Sequence, residues 1–236
     1  MPTTADTPKC YAEVRGHRLL DWAVRAFAAA EIRDICFIGG YQIAKVQRDY
    51  SGFTFRHNLG WEHNNILASL MHAEDLMHEG FICCYSDILF TSDVIRRVLA
   101  TPGDIVLSVD TNWLARYEHR TQHPPDDAEK VITHNGCVTR IHRTIAPPEA
   151  HGEYTGIAKF NAAGAAQLRE HYHQARERSA GRPFREAAVF EKAYLIHLLQ
   201  EMIECGVKMT HADTAGEYME VDTQQDFDLA RKYWAG

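Results

Sequence analysis

No run of apolar residues in this chain approaches the roughly 20 needed to cross a bilayer, and the N-terminus lacks the charged-then-apolar layout of a secretory signal. The sequence therefore reads as cytoplasmic. A basic surplus is also missing: 25 Lys and Arg stand against 32 Asp and Glu, for a net charge of -7 and a pI near 6.0. Electrostatic binding to nucleic acid or to an anionic membrane needs a cationic face, so neither is expected as a partner, whereas a local pocket for one small anion is not excluded. No CxxC pair occurs. Cys10, Cys36, Cys83, Cys84, Cys137 and Cys205 are scattered, mostly in apolar runs, and read as reduced core residues. The fourteen histidines are dispersed, and the nearest pair, His171 and His173, would point to different sides of a helix, so the spacing indicates no zinc site. Internal repeats, low-complexity tracts and long linkers are absent too. At 236 residues and 45% hydrophobic, one domain over 1–236 with a sizeable core is expected.

What is present alternates between helical and strand periodicity. Leu19, Leu20, Ala23, Val24, Phe27 and Ala30 recur at helical spacing, and "IRDICFIGGY" follows as a short buried strand. Leu67, Leu70, Met71, Glu74 and Met77 predict a second helix capped by Asn64 or Asn65, and "GFICCYSDILF" predicts a continuous apolar strand ending at Asp87. A helix over about 92–100 then leads to "DIVLSVD". Such alternation indicates βα units around a mostly parallel sheet. After Asp110 the pattern becomes antiparallel, with two strands around the turn Asn135-Gly136. Helices are expected over 162–178, 186–205 and from about 224, with short strands in "VKMTHAD" and "YMEVDT".

In an open α/β sheet the ligand lies beyond the carboxyl ends of the strands, which directs attention to carboxylates that close them. Asp87 is one, either as a ligand for a hard cation carrying phosphates or simply as a turn cap. Asp222 in "MEVDT" is another, with Glu220 two residues earlier on the same face, although "DTQQD" also suits a helix cap. Lys9 follows Pro8, whose ring stiffens the backbone and directs the ammonium. Arg116, Arg120 and Lys130 surround the "HPPDD" loop near Asp110 and Trp113 and offer a second anion pocket.

Taken together, "TPKCYAEVRGHRLLDW", "IRDICFIGGY", "HNLGWEHNNILASL", "GFICCYSDILF", "DIVLSVD", "DAEKV", "GEYTGIAKF" and "MEVDTQQDF" resemble, in order and spacing, the sugar-nucleotidyltransferase-like family of GT-A fold. The likeness is to its phosphocholine and phosphonate cytidylyltransferase branch. The resemblance implies an α/β fold of Rossmann-like, mixed but mostly parallel sheet flanked by helices, with a smaller antiparallel acceptor-binding part. It places nucleotide binding in residues 1–110 and acceptor binding, with a closing helix, in 111–236. It makes Lys9 a contact to nucleotide phosphates and Asp87 and Asp222, with Glu220 beside them, the ligands of Mg2+. Asn64, Asn65 and Ser69 line the nucleotide cleft, and Asp110, Arg120, Glu129, Lys130 and Glu153 face the acceptor, with Gly156 in the same strand. The implied reaction is transfer of CMP from CTP to a small phosphonate or phosphorylated alcohol with release of pyrophosphate, by a protein for which a homodimer is open. Sugar-1-phosphate nucleotidylyl transfer is the alternative chemistry. Family members carry a strand and a Gly-rich "LAAGxGxRL" loop just before a segment like "PTTADTPKC", and here Met1 stands where that loop would end. The expectation is a start codon further upstream and weak CTP binding by the 236-residue chain, with a non-catalytic relative as the other alternative.

Overall fold

Pro8 sets an extended backbone from which Lys9–Tyr11 make a single 3-10 turn, closed by the Tyr11 N–H on the Pro8 carbonyl at 2.8 Å. The structure is a computed structural model that describes residues 6–118 and 120–235; residues 1–5, where the family's Gly-rich loop would end, lie outside the described residues. In chain order the elements are β1 (Glu13–Val14), β2 (His17–Arg18), α1 (Leu19–Ala29), β3 (Cys36–Gly39), α2 (Ile43–Asp49), β4 (Thr54–His57) and α3 (Ile66–Leu70). They continue as β5 (Gly80–Cys84), β6 (Ile88–Phe90), α4 (Ser92–Ala100), β7 (Ile105–Asp110), α5 (Trp113–Tyr117), β8 (Lys130–His134) and β9 (Cys137–His142). The rest are β10 (Gly152–Asn161), α6 (Ala162–Arg178), α7 (Leu195–Glu204), β11 (Thr210–Thr214), β12 (Tyr218–Glu220) and α8 (Gln224–Tyr233). Among the described residues no helix is long and apolar enough to cross a membrane.

These elements form two compact units. The first comprises the described residues of Met1–Arg33, Ile82–Lys159 and Met209–Gly236. Its six-stranded sheet runs β5-β10-β7-β11-β9-β8, and β8 also pairs with the start of β10. β7 and β11 are parallel, whereas β8–β9, β9–β11 and β8–β10 are antiparallel, so the sheet is mixed. Asn135 and Gly136, both at positive φ, make the tight turn of the β8–β9 hairpin, as the Asn-Gly pair predicts. Helices α1 and α4 bury Ala23, Ala26, Val94, Ile95 and Val98 against Val106 and Ile157. A second cluster joins Ala12, Val14 and Leu19 to Leu89, Val221, Phe227 and Trp234, tying the Lys9 segment to α8. At about 25 cal/mol per Å² of apolar surface, it is this burial that holds the Lys9 turn in place.

The second unit comprises Asp34–Phe81 and Phe160–Lys208. Strands β3 and β4 are parallel with α2 between them, in the register Cys36 opposite Thr54 to Gly39 opposite His57. Its helices α6 and α7 pack together, and Glu74 accepts from Arg169 at 3.1 Å and contacts His173 Nε2 at 2.7 Å.

Three expected elements differ. "GFICCYSDILF" is not one strand, because residues 88–90 leave the line of β5 to pair with β12, and Asp87 sits in the turn between β5 and β6. The helix expected over 186–205 begins only at Leu195: Phe190 turns inward onto Phe184 and Tyr172, with ring centroids 5.1 and 5.3 Å away, which breaks the helical path. The helix with Leu67 and Met77 is α-helical only through Leu70, and a 3-10 stretch follows with Ala73 off helical geometry.

Candidate active site

The register of a short ladder brings the acidic residues together. Strands β6 and β12 are antiparallel, with Tyr218 opposite Phe90, Met219 opposite Leu89 and Glu220 opposite Ile88. The ladder continues one step, since the Val221 N–H donates to the Asp87 carbonyl at 3.0 Å. Ile88, Leu89 and Phe90 are fully buried, so this register is held by the core. Asp87 and Asp222, 135 positions apart in sequence, are thereby brought together, and the turn after Pro8 sends Lys9 between them. Its Nζ donates to Asp87 Oδ2 at 2.8 Å and to Asp222 Oδ1. Burial opposes the lysine's charge, but the two carboxylates more than offset it and hold its pKa above the usual lysine range.

Around this triad the charges are unevenly compensated. Burial, then the Asp222 charge and those of Glu153 and Asp87, push the Glu220 carboxyl well above its ordinary range, with Arg120 only partly opposing. Burial also acts to raise Asp222, but the charge and hydrogen bond of Lys9 and a hydrogen bond from Glu220 hold its pKa low. His123, from the loop after α5, places Nδ1 3.6 Å from Glu220 and 3.7 Å from Asp222, and these three residues have donor atoms close enough to share an ion. Asp226 anchors the strand end: its Oδ2 accepts from the N–H groups of Asp222 (3.1 Å) and Thr223 (2.8 Å) and its Oδ1 from Arg120 Nε (2.7 Å). The Thr223 side chain returns a bond from the Asp226 N–H, completing a capping box at the start of α8. The "DTQQD" segment thus both caps the last helix and presents Asp222.

The residues expected to face the acceptor form three neighbouring networks of the same unit. Asp110, fully buried at the end of β7, accepts from the N–H groups of Asn112 and Gly216 and from Arg116 Nε at 2.8 Å. Arg116 also bonds Glu153 and lies 4.5 Å over the Tyr218 ring, while the Tyr117 hydroxyl donates to Glu153 at 2.7 Å. Glu129 accepts from Tyr85 and Arg143, each at 3.2 Å; burial, only partly offset by Arg143, pushes its pKa up to about 7. The Lys130 ammonium donates to the carbonyls of Pro125, Asp126 and Ala128 and lies over the Trp113 ring, bracing the "HPPDD" loop. Arg120 likewise belongs first to Asp226, and its guanidinium meets His123 Nδ1 at 2.6 Å.

Asn64, Asn65 and Ser69 lie in the second unit. Asn64 and Asn58 exchange amide hydrogen bonds of 2.8 and 2.9 Å, Asn65 Oδ1 caps α3 by accepting from the Ile66 N–H at 2.8 Å, and Ser69 lies in α3. Sequence reasoning passed over His123, Asp226, Tyr85, Tyr117 and Arg143. For Asp226 a signal was present, since Thr223 followed by Asp226 is a capping-box spacing.

Lys9 held between Asp87 and Asp222 at the end of the β6–β12 ladder is thus set in a mixed α/β fold, and that fold is shared with solved nucleotidyltransferase structures. The chain is similar over 97% of its length, at 23% identity, to the CTP:phosphoglutamine cytidylyltransferase of Campylobacter jejuni, covering 93% of that protein. Among solved structures, the inositol-1-phosphate CTP transferase from T. maritima superposes with a TM-score of 0.72 at 18% identity, covering 100% of this chain and 91% of that one. The CTP:phosphocholine cytidylyltransferase from Streptococcus pneumoniae gives 0.72 at 16%, covering 98% and 91%. No family model matches the chain.

Proposed function

We propose that this protein is a magnesium-dependent cytidylyltransferase that moves CMP from CTP to a small phosphorylated or phosphonate acceptor. The observation that carries the reading is the convergence of Lys9, Asp87 and Asp222 from three distant segments at one point. The similarity to cytidylyltransferases with phosphoglutamine, inositol-1-phosphate and phosphocholine in their names supports the choice of CTP and of a phosphorylated acceptor. An acceptor oxygen forms a bond to the α-phosphorus as the α–β phosphoanhydride bond breaks in line, and pyrophosphate leaves. Little covalent help is needed, so positioning and charge neutralisation dominate.

The carboxylates suit a hard cation. Asp87, Asp222 and Glu220 supply oxygen donors in a half-buried cluster where burial, then the charges of Asp222, Glu153 and Asp87, raise the Glu220 carboxyl, so that an added cation would be favoured there. These three would hold Mg2+, which when bound screens the triphosphate charge. Lys9 leaves its carboxylates for the phosphates as the nucleotide enters, and Asp226 and Arg120 keep the Asp222 backbone in place. Glu153 and Glu129 orient Arg116 and Arg143 on the acceptor side, and Lys130 keeps the adjoining loop rigid.

Pyrophosphate release, followed with each of the four common nucleoside triphosphates against phosphocholine, 2-aminoethylphosphonate, a phosphoamide and a sugar 1-phosphate, tests the reading. Turnover is expected with CTP and one of the first three, dependent on added magnesium. Turnover restricted to UTP or dTTP with a sugar 1-phosphate would replace it with the alternative chemistry, and Lys9-independent turnover would end it.

A further inference from the structure

A second convergence of ligand-type side chains lies in the first unit and shares no residue with the carboxylate cluster. His211 and Asp213 stand two positions apart on β11, so the pleat sends both to one face. Pairing with β7, His211 opposite Leu107 and Asp213 opposite Val109, fixes their backbone. His151 immediately precedes β10, and its N–H donates to the Val131 carbonyl at 2.8 Å. The next residue, Gly152, packs so tightly that a Cβ there would sit 2.7 Å from the Asp110 carbonyl oxygen. Since β10 and β11 flank β7, these segments meet across it.

The donor atoms converge closely. His151 Nε2 lies 2.9 and 3.1 Å from the two Asp213 oxygens, and His211 Nδ1 lies 2.7 Å from Oδ1. The imidazole centroids are 4.8 Å apart, edge to face, and the three donor atoms all lie within 4.8 Å of one another. Side-chain exposures of 14% for His211, 31% for His151 and 41% for Asp213 describe recessed rings with one open flank.

We propose that His151, His211 and Asp213 bind one divalent transition-metal ion of the zinc class, with a fourth position left to water. Two imidazole nitrogens and a carboxylate oxygen suit zinc, whereas magnesium and calcium prefer all-oxygen sets. Tetrahedral ligands at zinc-like bond lengths lie roughly 3.3 Å apart, so each imidazole nitrogen and the Asp213 oxygen that it faces need separate by only a few tenths of an ångström. Without metal, Asp213 accepts a hydrogen bond from each ring, which holds both imidazoles in the binding orientation. With metal, the nitrogen of each ring that faces Asp213 becomes a ligand, and the ring's proton sits on its other nitrogen. All three backbones belong to or abut paired strands, which supplies the rigidity that a metal site needs. The bound ion fastens the start of β10 to β11 across β7.

The test uses the full chain, freed of metal by chelation and kept in excess Mg2+ so that the carboxylate cluster is occupied. Titration with Co2+ should develop the visible bands of four- or five-coordinate cobalt, and Zn2+ in competition with a chromogenic chelator should bind one per chain at roughly 1 μM or tighter. Zn2+ should also raise the thermal midpoint. His151→Gln and His211→Gln should each weaken zinc by at least about 100-fold and remove the cobalt bands, since loss of a direct ligand exceeds loss of an outer partner. Asp87→Asn should leave zinc stoichiometry unchanged. Zinc binding no tighter than about 100 μM, wild-type affinity in both histidine variants, or loss of binding in Asp87→Asn would overturn the proposal. Should a histidine variant not fold, acylation of the wild-type imidazoles by diethyl pyrocarbonate decides: zinc must protect His151 and His211, and equal modification with and without zinc refutes the site.

Discussion

Replacing Asp226 by Asn tests whether one buried carboxylate holds the catalytic strand end in place. Asp226 is 2% exposed, and its two oxygens accept from Arg120 Nε on one side and from the Asp222 and Thr223 N–H groups on the other. An amide has a single acceptor oxygen, so either orientation turns an NH2 group against a donor. If the amide nitrogen meets Arg120, a guanidinium that is 8% exposed loses its nearest counter-charge. If it meets the backbone, the cap of α8 and the Asp222 anchor are lost. Breaking a buried pair from one side costs about 3–5 kcal/mol, which for a chain of this size lowers the thermal midpoint by roughly 6–20 °C. Urea unfolding of the wild type, Asp226→Asn, Arg120→Met and the double variant completes a cycle in which the coupling should reach at least about 1.5 kcal/mol. Single losses that add to within about 0.5 kcal/mol would show that the pair does not act as a unit. In Asp226→Asn the apparent affinity for magnesium should fall where the amide turns its NH2 toward the backbone, because the Asp222 backbone is then no longer tied down.

Lys9→Met should lower kcat/KM for the triphosphate roughly 100-fold or more without weakening magnesium binding, because the cation that competes for Asp87 and Asp222 is removed; weaker binding, read by calorimetry, would contradict that competition. Burial places the Glu129 pKa at about 7, above its ordinary 4.5, so its contribution to stability is present below about pH 4.5 and is lost as pH rises through about 7. Glu129→Gln should flatten the decline across that window, measured as urea midpoints at its two ends; an unchanged slope would assign the decline elsewhere. Gly156 has a φ of +80°, and a Cβ there would run into the Tyr85 ring. Gly156→Ala should therefore cost at least about 1–3 kcal/mol, and an unshifted thermal midpoint would mean that Tyr85 is free to move.

Much of the local structure was written in the chain. The helical spacing from Leu19 is α1, Asn135-Gly136 is the β8–β9 turn, and "IVLSVD" is the fully buried β7. Each depends on residues near in sequence, whose periodicity and turn preference act whatever the tertiary context. The direction of Lys9 after Pro8 and the position of Asp222 ahead of a capped helix were legible for the same reason. Contacts made between distant segments were not. The split of "GFICCYSDILF" depended on β12, the late start of α7 on the burial of Phe190, and the contacts of Lys130 with loop carbonyls on the folding back of the "HPPDD" loop. The meeting of His151 with His211 required a sheet order that no spacing along the chain records. Side-chain pairing across strands is set by register, and register is chosen by whichever alignment buries the whole apolar face, a property of the assembled sheet and not of any one segment.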